Sequence, residues 1–235
     1  MKRTGELQTC GTGGHGIRAP STVGPVDPAA VPGSPVGPAD GEEVMAVYRD
    51  PSQRVLDKVV DRLDEHCTAF IGLSPFATLA TASADGWPDV SPRGGDPGFV
   101  RVLDQHRLAL PDRQGNNRVD SLRNIAANPR AALMFLVPGI DETLRVYGTT
   151  RLVGPDALGI ELTDFGRPPL SVLVLQVERA YFQCSKSVMR SGLWDPARRV
   201  NRSVFPPFSQ VLRDHCRDAA IPDEAQLRAG LALEL

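Results

Sequence analysis

The sequence predicts a mainly β protein with flanking helices, organised as an antiparallel barrel of roughly six to seven strands. Short apolar segments with a strand-like composition recur along residues 76–182. Turn signals such as Ala84-Asp85-Gly86 separate them, as in hairpins. A single short helix, over 118–127, is expected among the strands. Short turns and Gly/Pro punctuation together favour the antiparallel barrel.

Composition indicates a globular cytoplasmic protein. Of the 235 residues, 41% are hydrophobic and 23% are charged, which supplies enough apolar material for a core. The formal net charge of -2 gives no reason to expect nucleic acid as a partner, and no apolar run reaches the length of a membrane span. The four cysteines form no Cys-x-x-Cys motif. Because no secretory signal is recognised, we expect reduced thiols in a cytoplasmic protein.

Residues 1–41 differ from the rest of the chain. They are rich in Gly and Pro and nearly lack large apolar side chains, so burial cannot offset the entropy of ordering them. The run Gly11-Thr12-Gly13-Gly14-His15-Gly16 fits the dinucleotide-binding pattern, but no strand precedes it and no helix follows it. A disordered tail is the better interpretation.

Ordered structure is expected from Ser52, which suits a helix cap. Val55, Val59, Leu63 and Cys67 are four residues apart, so one amphipathic helix is predicted up to Gly72. The strands expected after it span 76–83, 87–93, 99–103, 107–111, 131–137, 144–153 and 170–182. The C-terminal part is predicted to be helical over 207–219 and 223–233.

The first candidate anion site begins at Asn117. Asn117 suits an N-cap, and Asp120 stands where the acid of a capping box would stand. A helix N-terminus attracts anions, Arg118 adds a forked cation suited to phosphate, and Ser121 adds a hydroxyl one turn later. A capped surface helix with a solvated arginine explains the same residues.

A second candidate lies in Ser91-Pro92-Arg93-Gly94-Gly95. A strand that ends in Pro, Arg and paired Gly lets the backbone approach a ligand closely. Arg93 would then supply a second charge to a phosphate. An ordinary loop with a surface arginine is the alternative.

About half of the chain, residues 67–192, resembles a known family. The motifs that carry the resemblance are Phe76-Ala77-Thr78-Leu79-Ala80-Thr81, Asp85-Gly86, Ser91-Pro92-Arg93-Gly94, Leu110-Pro111-Asp112, Gly115-Asn116-Asn117-Arg118, Ser121-Leu122-Arg123-Asn124, Asn128-Pro129, Leu144-Arg145-Val146 with Gly148, Cys184-Ser185-Lys186, Arg190-Ser191 and Leu193-Trp194. In order and spacing they are similar to the split-barrel flavoproteins of the pyridoxamine 5′-phosphate oxidase class, and to a bacterial branch assigned to FMN-dependent enzymes.

The resemblance implies an FMN-binding split barrel that forms a homodimer, with FMN at the subunit interface. In this family two basic residues bind the FMN phosphate, and the resemblance assigns these roles to Arg93 and Arg118. The other implied cofactor residues are the neutral donors Ser91, Asn117 and Ser121, the strand residues Pro111 and Asp112 with Leu110, and Gln183, Ser185, Lys186 and Arg190 from the partner subunit.

Other residues receive structural interpretations. Cys184 follows an apolar strand and is expected to be a buried packing residue rather than a redox thiol. Trp194 is expected to anchor the C-terminal segment. The histidines are scattered, so no metal site is predicted. Arg213-Asp214-His215-Cys216-Arg217 has the spacing of the substrate-gripping element of true pyridoxamine phosphate oxidases, but its helical apolar stripe indicates coincidence, and vitamin B6 synthesis is not expected.

The sequence therefore predicts three parts: a disordered tail (1–41), a split-barrel flavin-binding domain with an N-terminal helix (42–192), and a helical extension packing on the barrel (193–235). The predicted function is an FMN-dependent oxidoreductase of unknown substrate, with no catalytic residue assigned. Two alternatives stay open: a non-catalytic flavin carrier or sensor, and a split barrel that uses the deazaflavin F420 or haem instead of FMN.

Overall fold

A computed structural model describes residues 44–113, 115, 117–163, 167–216 and 220–234. The chain divides into two units, residues 1–50 and 51–235. Of the first unit the described part is 44–50, a short turn. The predicted disordered tail and the glycine motif at 11–16 lie outside the described residues.

The second unit is built on one sheet of seven antiparallel strands, as the sequence predicts. The spatial order of the strands is β2-β1-β5-β6-β7-β4-β3, so β2 and β3 form the two edges. The strands are β1 (Phe76–Ala82), β2 (Pro88–Gly94), β3 (Arg101–Asp104), β4 (Arg107–Asp112), β5 (Arg130–Leu136), β6 (Thr143–Val153) and β7 (Ser171–Gln183).

One face of the sheet carries the larger buried core, and a smaller buried cluster of Ala109, Leu162, Val172 and Val174 lies on the other face of β4 and β7. Alternate residues point to opposite faces of a strand, and burial follows that period in β1, β5 and β6. Leu79, Leu133 and Val146 are paired across neighbouring strands and are each no more than 1% exposed. The opposite face of these strands is half-buried. The alternating burial thus comes from the fold, while the strand positions were predicted from apolar composition and turn residues.

The predicted single N-terminal helix is wrong. Residues 53–73 form two helices, α1 (Gln53–Asp57) and α2 (Glu65–Leu73), with no α-helix between them. Val60 lies in the gap and exchanges two backbone hydrogen bonds with Ala180 of β7, of 2.9 and 2.8 Å. The backbone at Val60 therefore forms a bridge to the sheet and not a helical turn, although the helix-like spacing of apolar residues continues through this segment. Asp64 then caps α2 by accepting from the N–H of Cys67 at 2.8 Å.

Gly148 marks an irregularity in the longest strand pair. The register of β6 against β7 shifts between Tyr147 and Gly148, as at a β-bulge. A Cβ atom at Gly148 would lie 1.8 Å from the carbonyl oxygen of Gln176. The strands can approach this closely only because residue 148 has no side chain.

The chain after β7 turns into α4 (Lys186–Ser191). Cys184 is exposed there, so its interpretation as a buried packing residue is wrong. The strand ends at Gln183, and Cys184 no longer follows its alternation. The half-buried Trp194 donates from Nε1 to the carbonyl of Ile140 at 2.9 Å, as expected of an anchor for this segment.

The two C-terminal helices are α5 (Phe208–His215) and α6 (Glu224–Glu234). The backbone N–H of Ser209 donates to Oε2 of Glu224 at 3.0 Å, which ties α5 to the start of α6. Arg213 and His215 lie in the last turn of α5, and Arg217 lies outside the described residues. The packing of this extension on the barrel stays a prediction.

Candidate functional site

A pocket of about 390 Å³ lies where β2, the end of β4 and the segment before the inserted helix α3 (Asp120–Ala127) meet. Its volume lies within the usual range of small-molecule sites. The pocket brings together seven residues that the sequence nominated: Ser91, Arg93, Pro111, Asp112, Asn117, Arg118 and Ser121. They come from three separate segments, so the fold and not one local motif assembles them.

Arg93 reaches the pocket from the edge strand β2. It pairs with the buried Ala77 of β1, which places its side chain on the core face of the sheet. Its Nη1 donates to the hydroxyl of Ser91 and to the carbonyl of Pro92, the latter at 2.8 Å. These bonds hold the guanidinium along its own strand at the pocket wall.

Arg118 lines the same pocket from a different segment, the loop before α3. Its Nε donates to Oδ2 of Asp120, and its side chain is 80% exposed. The hydrogen bond from Arg118 to Asp120 raises the pKa of Arg118, which keeps the guanidinium charged. Because this cation is exposed, a ligand can reach it, although Asp120 competes for it.

The predicted cap of α3 is wrong. The N-cap is Val119, which makes no side-chain cap hydrogen bond, and Asp120 is the first helical residue rather than a capping-box acid. Asn117 and Val119 both have positive φ angles, of 57° and 49°. A β-branched residue rarely adopts this conformation. Two left-handed residues move the helix start beyond the best capping residue and leave Arg118 in the preceding loop.

Asp89 is a pocket residue that the sequence interpretation missed. Its Oδ2 accepts hydrogen bonds from the Ser121 hydroxyl at 2.8 Å and the Thr81 hydroxyl at 3.3 Å. Asn124 of α3 in turn donates to Thr81 at 3.1 Å. This network fixes the first turn of α3 against β1 and β2. The signal was present, because Asp89, Ser91 and Arg93 alternate along one strand and therefore share a face.

Arg113 is the second missed residue of the pocket wall. Its guanidinium donates to the carbonyls of Leu162 at 3.0 Å and Arg167 at 3.1 Å. The N–H of Leu170 also donates to the carbonyl of Asp112 at 3.0 Å. Residues from the β6–β7 connection are thereby held against the end of β4. No motif in the sequence indicated this contact between distant segments.

Charges are balanced among the described residues that line the pocket. Three guanidinium groups (Arg93, Arg113 and Arg118) face three carboxyl groups (Asp89, Asp112 and Asp120). Asp89 and Asp120 accept hydrogen bonds from Ser121 and Arg118, respectively. Selectivity for an anion therefore depends on where the cations lie and not on a net positive charge.

Asp112 differs from the other two acids because burial raises its pKa, although the charge of Arg93 opposes the shift. An acid whose folded-state pKa exceeds its unfolded value destabilises the fold once it ionises. That loss grows as pH rises above the ordinary value of 3.8 and is complete above the folded-state pKa. We expect Asp112→Asn to raise Tm at neutral pH, with a difference that shrinks near about pH 4.

Thermal unfolding of both proteins across this pH range tests the expectation for Asp112. The control is Asp104→Asn, because a hydrogen bond from Arg107 lowers the pKa of Asp104 and reverses the sign. That variant is expected to lower Tm slightly at neutral pH. A lower Tm in Asp112→Asn at neutral pH would contradict the burial argument.

The four residues nominated for the partner subunit lie elsewhere. Gln183 ends β7, Ser185 occupies the N-cap position of α4, and Lys186 and Arg190 are exposed on that helix. None of them lines the described pocket of their own chain. Their approach to a cofactor through a second subunit stays a prediction.

The seven-stranded antiparallel sheet, with its flanking helices and an arginine-lined pocket beside the edge strand β2, places the chain in the split-barrel fold class. The sequence profile of pyridoxamine 5′-phosphate oxidase matches residues 63–184, which is more than half of the chain. The chain belongs to the pyridoxamine 5′-phosphate oxidase family. No curated protein sequence matches it.

Solved structures resemble the chain at low identity. A Clostridium acetobutylicum protein related to general stress protein 26, of the pyridoxinephosphate oxidase family, is 15% identical (52% of this chain, 90% of that chain, TM-score 0.40). A heme binding protein from Mycobacterium smegmatis is 20% identical (53% and 55%, TM-score 0.40). A protein described as an F420 reductase is 21% identical (52% and 98%, TM-score 0.35).

Within the described ranges, no group of three or more His, Cys, Asp or Glu side chains is arranged to hold a metal ion. In the same part of the chain, no helix has the length and apolar character needed to cross a membrane.

Proposed function

We propose that this protein binds FMN in the pocket beside β2 and acts as an FMN-dependent oxidoreductase whose substrate is unknown. The observation that carries the proposal is the convergence of Arg93 and Arg118 on one pocket from separate elements. Guanidinium groups bind phosphate through charge-assisted, forked hydrogen bonds. A phosphate between the two arginines would satisfy both of them.

The remainder of the pocket suits an amphipathic cofactor. Exposed apolar residues line it, among them Val119 and Leu170, while Ser91 and Asp112 are polar groups within it. An apolar ring system fits the former, and a hydroxylated chain that ends in phosphate fits the latter. Bound FMN would supply hydride or electron transfer. The chain would hold the phosphate, orient the ring and limit access of water.

Asn117, Ser121 and Pro111 complete the proposed cofactor site. The hydroxyl of Ser121 is committed to Asp89, so its contribution is to fix the helix start rather than to donate directly. We further propose a cytoplasmic homodimer in which Gln183, Ser185, Lys186 and Arg190 of the second subunit complete the site around the ring. A role in vitamin B6 synthesis is not proposed, because Arg213 and His215 lie at the end of helix α5.

Identification of the co-purifying ligand tests the proposal directly. We expect the purified protein to show a flavin absorption spectrum and to release FMN at about one per protomer. A protein that takes up F420 or haem but not FMN would overturn the cofactor assignment. Steady-state turnover with a reduced nicotinamide and an acceptor tests the enzyme. Bound FMN that no reductant reduces would indicate a carrier instead.

Removal of the exposed cation provides a specific test of the pocket. Arg118→Ala is expected to weaken FMN binding about tenfold, the effect of losing one charge-assisted hydrogen bond at an exposed site. The matched control is Arg123→Ala, since Arg123 also contacts Asp120, at 3.7 Å, but does not line the pocket. FMN titration followed by flavin fluorescence measures both. Equal affinity in the two variants would remove Arg118 from the site.

A further inference from the structure

A second group of charged and aromatic side chains lies on the face of the sheet opposite Ser91 and Arg93 of the pocket. Directly paired residues of neighbouring antiparallel strands share a face. Ser91, at the pocket, pairs with Leu79, which pairs with Leu133, which in turn pairs with Val146. Arg145 is the neighbour of Val146 along β6 and therefore points to the other face.

Arg145 belongs to a compact group that we call the tyrosine–cation cluster: Lys58, Arg145, Tyr147, Arg179 and Tyr181. The rings of Tyr147 and Tyr181 stack with centroids 5.8 Å apart and planes 12° apart, and their hydroxyl oxygens are 3.1 Å apart. The Arg179 guanidinium lies 5.4 Å from the Tyr147 centroid. The Lys58 ammonium lies 5.6 Å from the Tyr181 centroid.

The cluster concentrates positive charge without a carboxylate partner. In the described part of the chain, Lys58, Arg145 and Arg179 make no ion pair within 4.0 Å. Glu178, adjacent to Arg179, is already bonded to Arg130 at 3.4 Å and to the Thr149 hydroxyl. The Lys58 ammonium donates to the carbonyl of Phe182 at 2.8 Å, and cation–π contacts with the rings stabilise the charges only in part.

Hydrogen-bond donors also outnumber acceptors in the cluster. Arg145 has five N–H groups, and the phenol oxygens of Tyr147 and Tyr181 are acceptors beside it. Its Nε is buried and has no partner in the structure. Hydrogen bonding to Tyr147 and Tyr181 raises the pKa of Arg145, although burial opposes the shift. A buried donor without an acceptor is costly, so the arrangement favours an added acceptor.

The pKa values of the two phenols shift in opposite directions. Burial acts to raise the pKa of Tyr181, but hydrogen bonds from Tyr147 and Arg145 and the charges of Arg145 and Arg179 outweigh it and lower the pKa. Burial is the largest cause of the raised pKa of Tyr147. The Tyr181 oxygen thus lies where negative charge is stabilised.

We propose that the tyrosine–cation cluster is a binding site for a small oxyanion, a phosphate or carboxylate group, distinct from the phosphate position between Arg93 and Arg118; in the proposed homodimer it adjoins Gln183, which is two residues from Tyr181. The ring faces are covered by each other and by the two outer cations. A ligand therefore meets the N–H and O–H groups at the ring edges, which are donors suited to anionic oxygen. The geometry assigns Arg145 as the central donor, with Lys58 and Arg179 as flanking charges.

Fluorine NMR of protein labelled with 3-fluorotyrosine tests this site. The chain has three tyrosines, so the spectrum contains three resonances, two from the cluster and one from Tyr48 as an internal reference. Titration with inorganic phosphate is expected to move the resonances of Tyr147 and Tyr181 and to leave that of Tyr48 in place. Absence of any shift in the two cluster resonances would overturn the proposal.

Variants assign the effect to the cluster. Arg145→Gln is expected to weaken phosphate binding about tenfold, as for the loss of a charge-assisted hydrogen bond. Arg151→Gln, at an exposed position of the same strand, is the matched control and should behave as the unchanged protein. Equal weakening in both variants, or in neither, would contradict the site.

Two further variants keep the test decisive. If Arg145→Gln does not fold, Lys58→Gln replaces an exposed cluster cation and is expected to weaken phosphate binding roughly threefold. Arg93→Gln should leave the tyrosine shifts unchanged while it weakens FMN binding. Tyrosine shifts that disappear in Arg93→Gln would place the phosphate in the cofactor pocket and overturn the second site. Failure of FMN binding alone leaves the cluster result intact.

Discussion

Gly148→Ala is expected to destabilise the protein by roughly 2–4 kcal/mol. The added methyl carbon would lie 1.8 Å from the carbonyl oxygen of Gln176 and 3.1 Å from a methyl of Leu175. The obstacle is backbone in the most extensive strand pair of the sheet, so it cannot rotate away as a side chain would. For a chain of this size the loss corresponds to a fall in Tm of roughly 5–15 °C.

Gly154→Ala is the matched control for this substitution. Gly154 follows β6, has an ordinary φ of -65°, and has no atom within 4 Å of the added carbon. We expect Gly154→Ala to change the free energy of unfolding by less than about 1 kcal/mol. Thermal unfolding of the two variants separates the close strand approach from a general effect of adding a methyl group. A Tm of Gly148→Ala within a degree or so of the control would show that β6 and β7 do not approach this closely.

Local patterns were sufficient to predict the strands. Short apolar segments with a strand-like composition indicated the strands, and turn residues such as Gly86, with a φ of 87°, fix where strands end. The same reasoning failed at Val60, where a tertiary contact determines the backbone conformation. Val60 has the apolar spacing of a helix, but its backbone bonds to Ala180, more than a hundred residues away.

The candidate site likewise contains residues that the sequence predicted and residues that it missed. Arg93 and Arg118 stand in motifs whose residue types alone suit an anion, so the sequence nominated both. Asp89 and Arg113 act through partners on other segments, Ser121 for the former and the carbonyl of Leu162 for the latter. Those pairings depend on how the sheet and the β6–β7 connection meet, which no short pattern encodes.

Cys184 shows a limit of inferring burial from an adjacent apolar strand. Its neighbour Phe182 is half-buried and packs edge-to-face on Phe70, with ring centroids 5.4 Å apart. Extending that strand by two residues predicts a buried thiol on the same face. The strand ends one residue earlier, at Gln183, and the chain turns into α4. A change of direction at a single residue therefore reversed the exposure.

Arg93→Gln is expected to reduce FMN affinity more than any other single change in the pocket. Its guanidinium is already positioned by Ser91 and by the Pro92 carbonyl, so little ordering entropy opposes its contact with phosphate. Arg118 is 80% exposed and must exchange Asp120 for the ligand. The loss for Arg93→Gln should therefore approach about 3 kcal/mol, or roughly 150-fold in Kd.

The comparison that isolates this effect uses Arg101→Gln, since Arg101 is an exposed arginine on the other edge strand, β3, and does not line the pocket. Flavin fluorescence titration of the two variants should give a weak Kd for Arg93→Gln and an unchanged one for Arg101→Gln. If both retain full affinity, the phosphate does not bind at β2. If Arg93→Gln loses affinity and Arg118→Ala does not, a single anchored guanidinium holds the phosphate, because the structure fixes Arg93 before the ligand arrives and leaves Arg118 paired with Asp120.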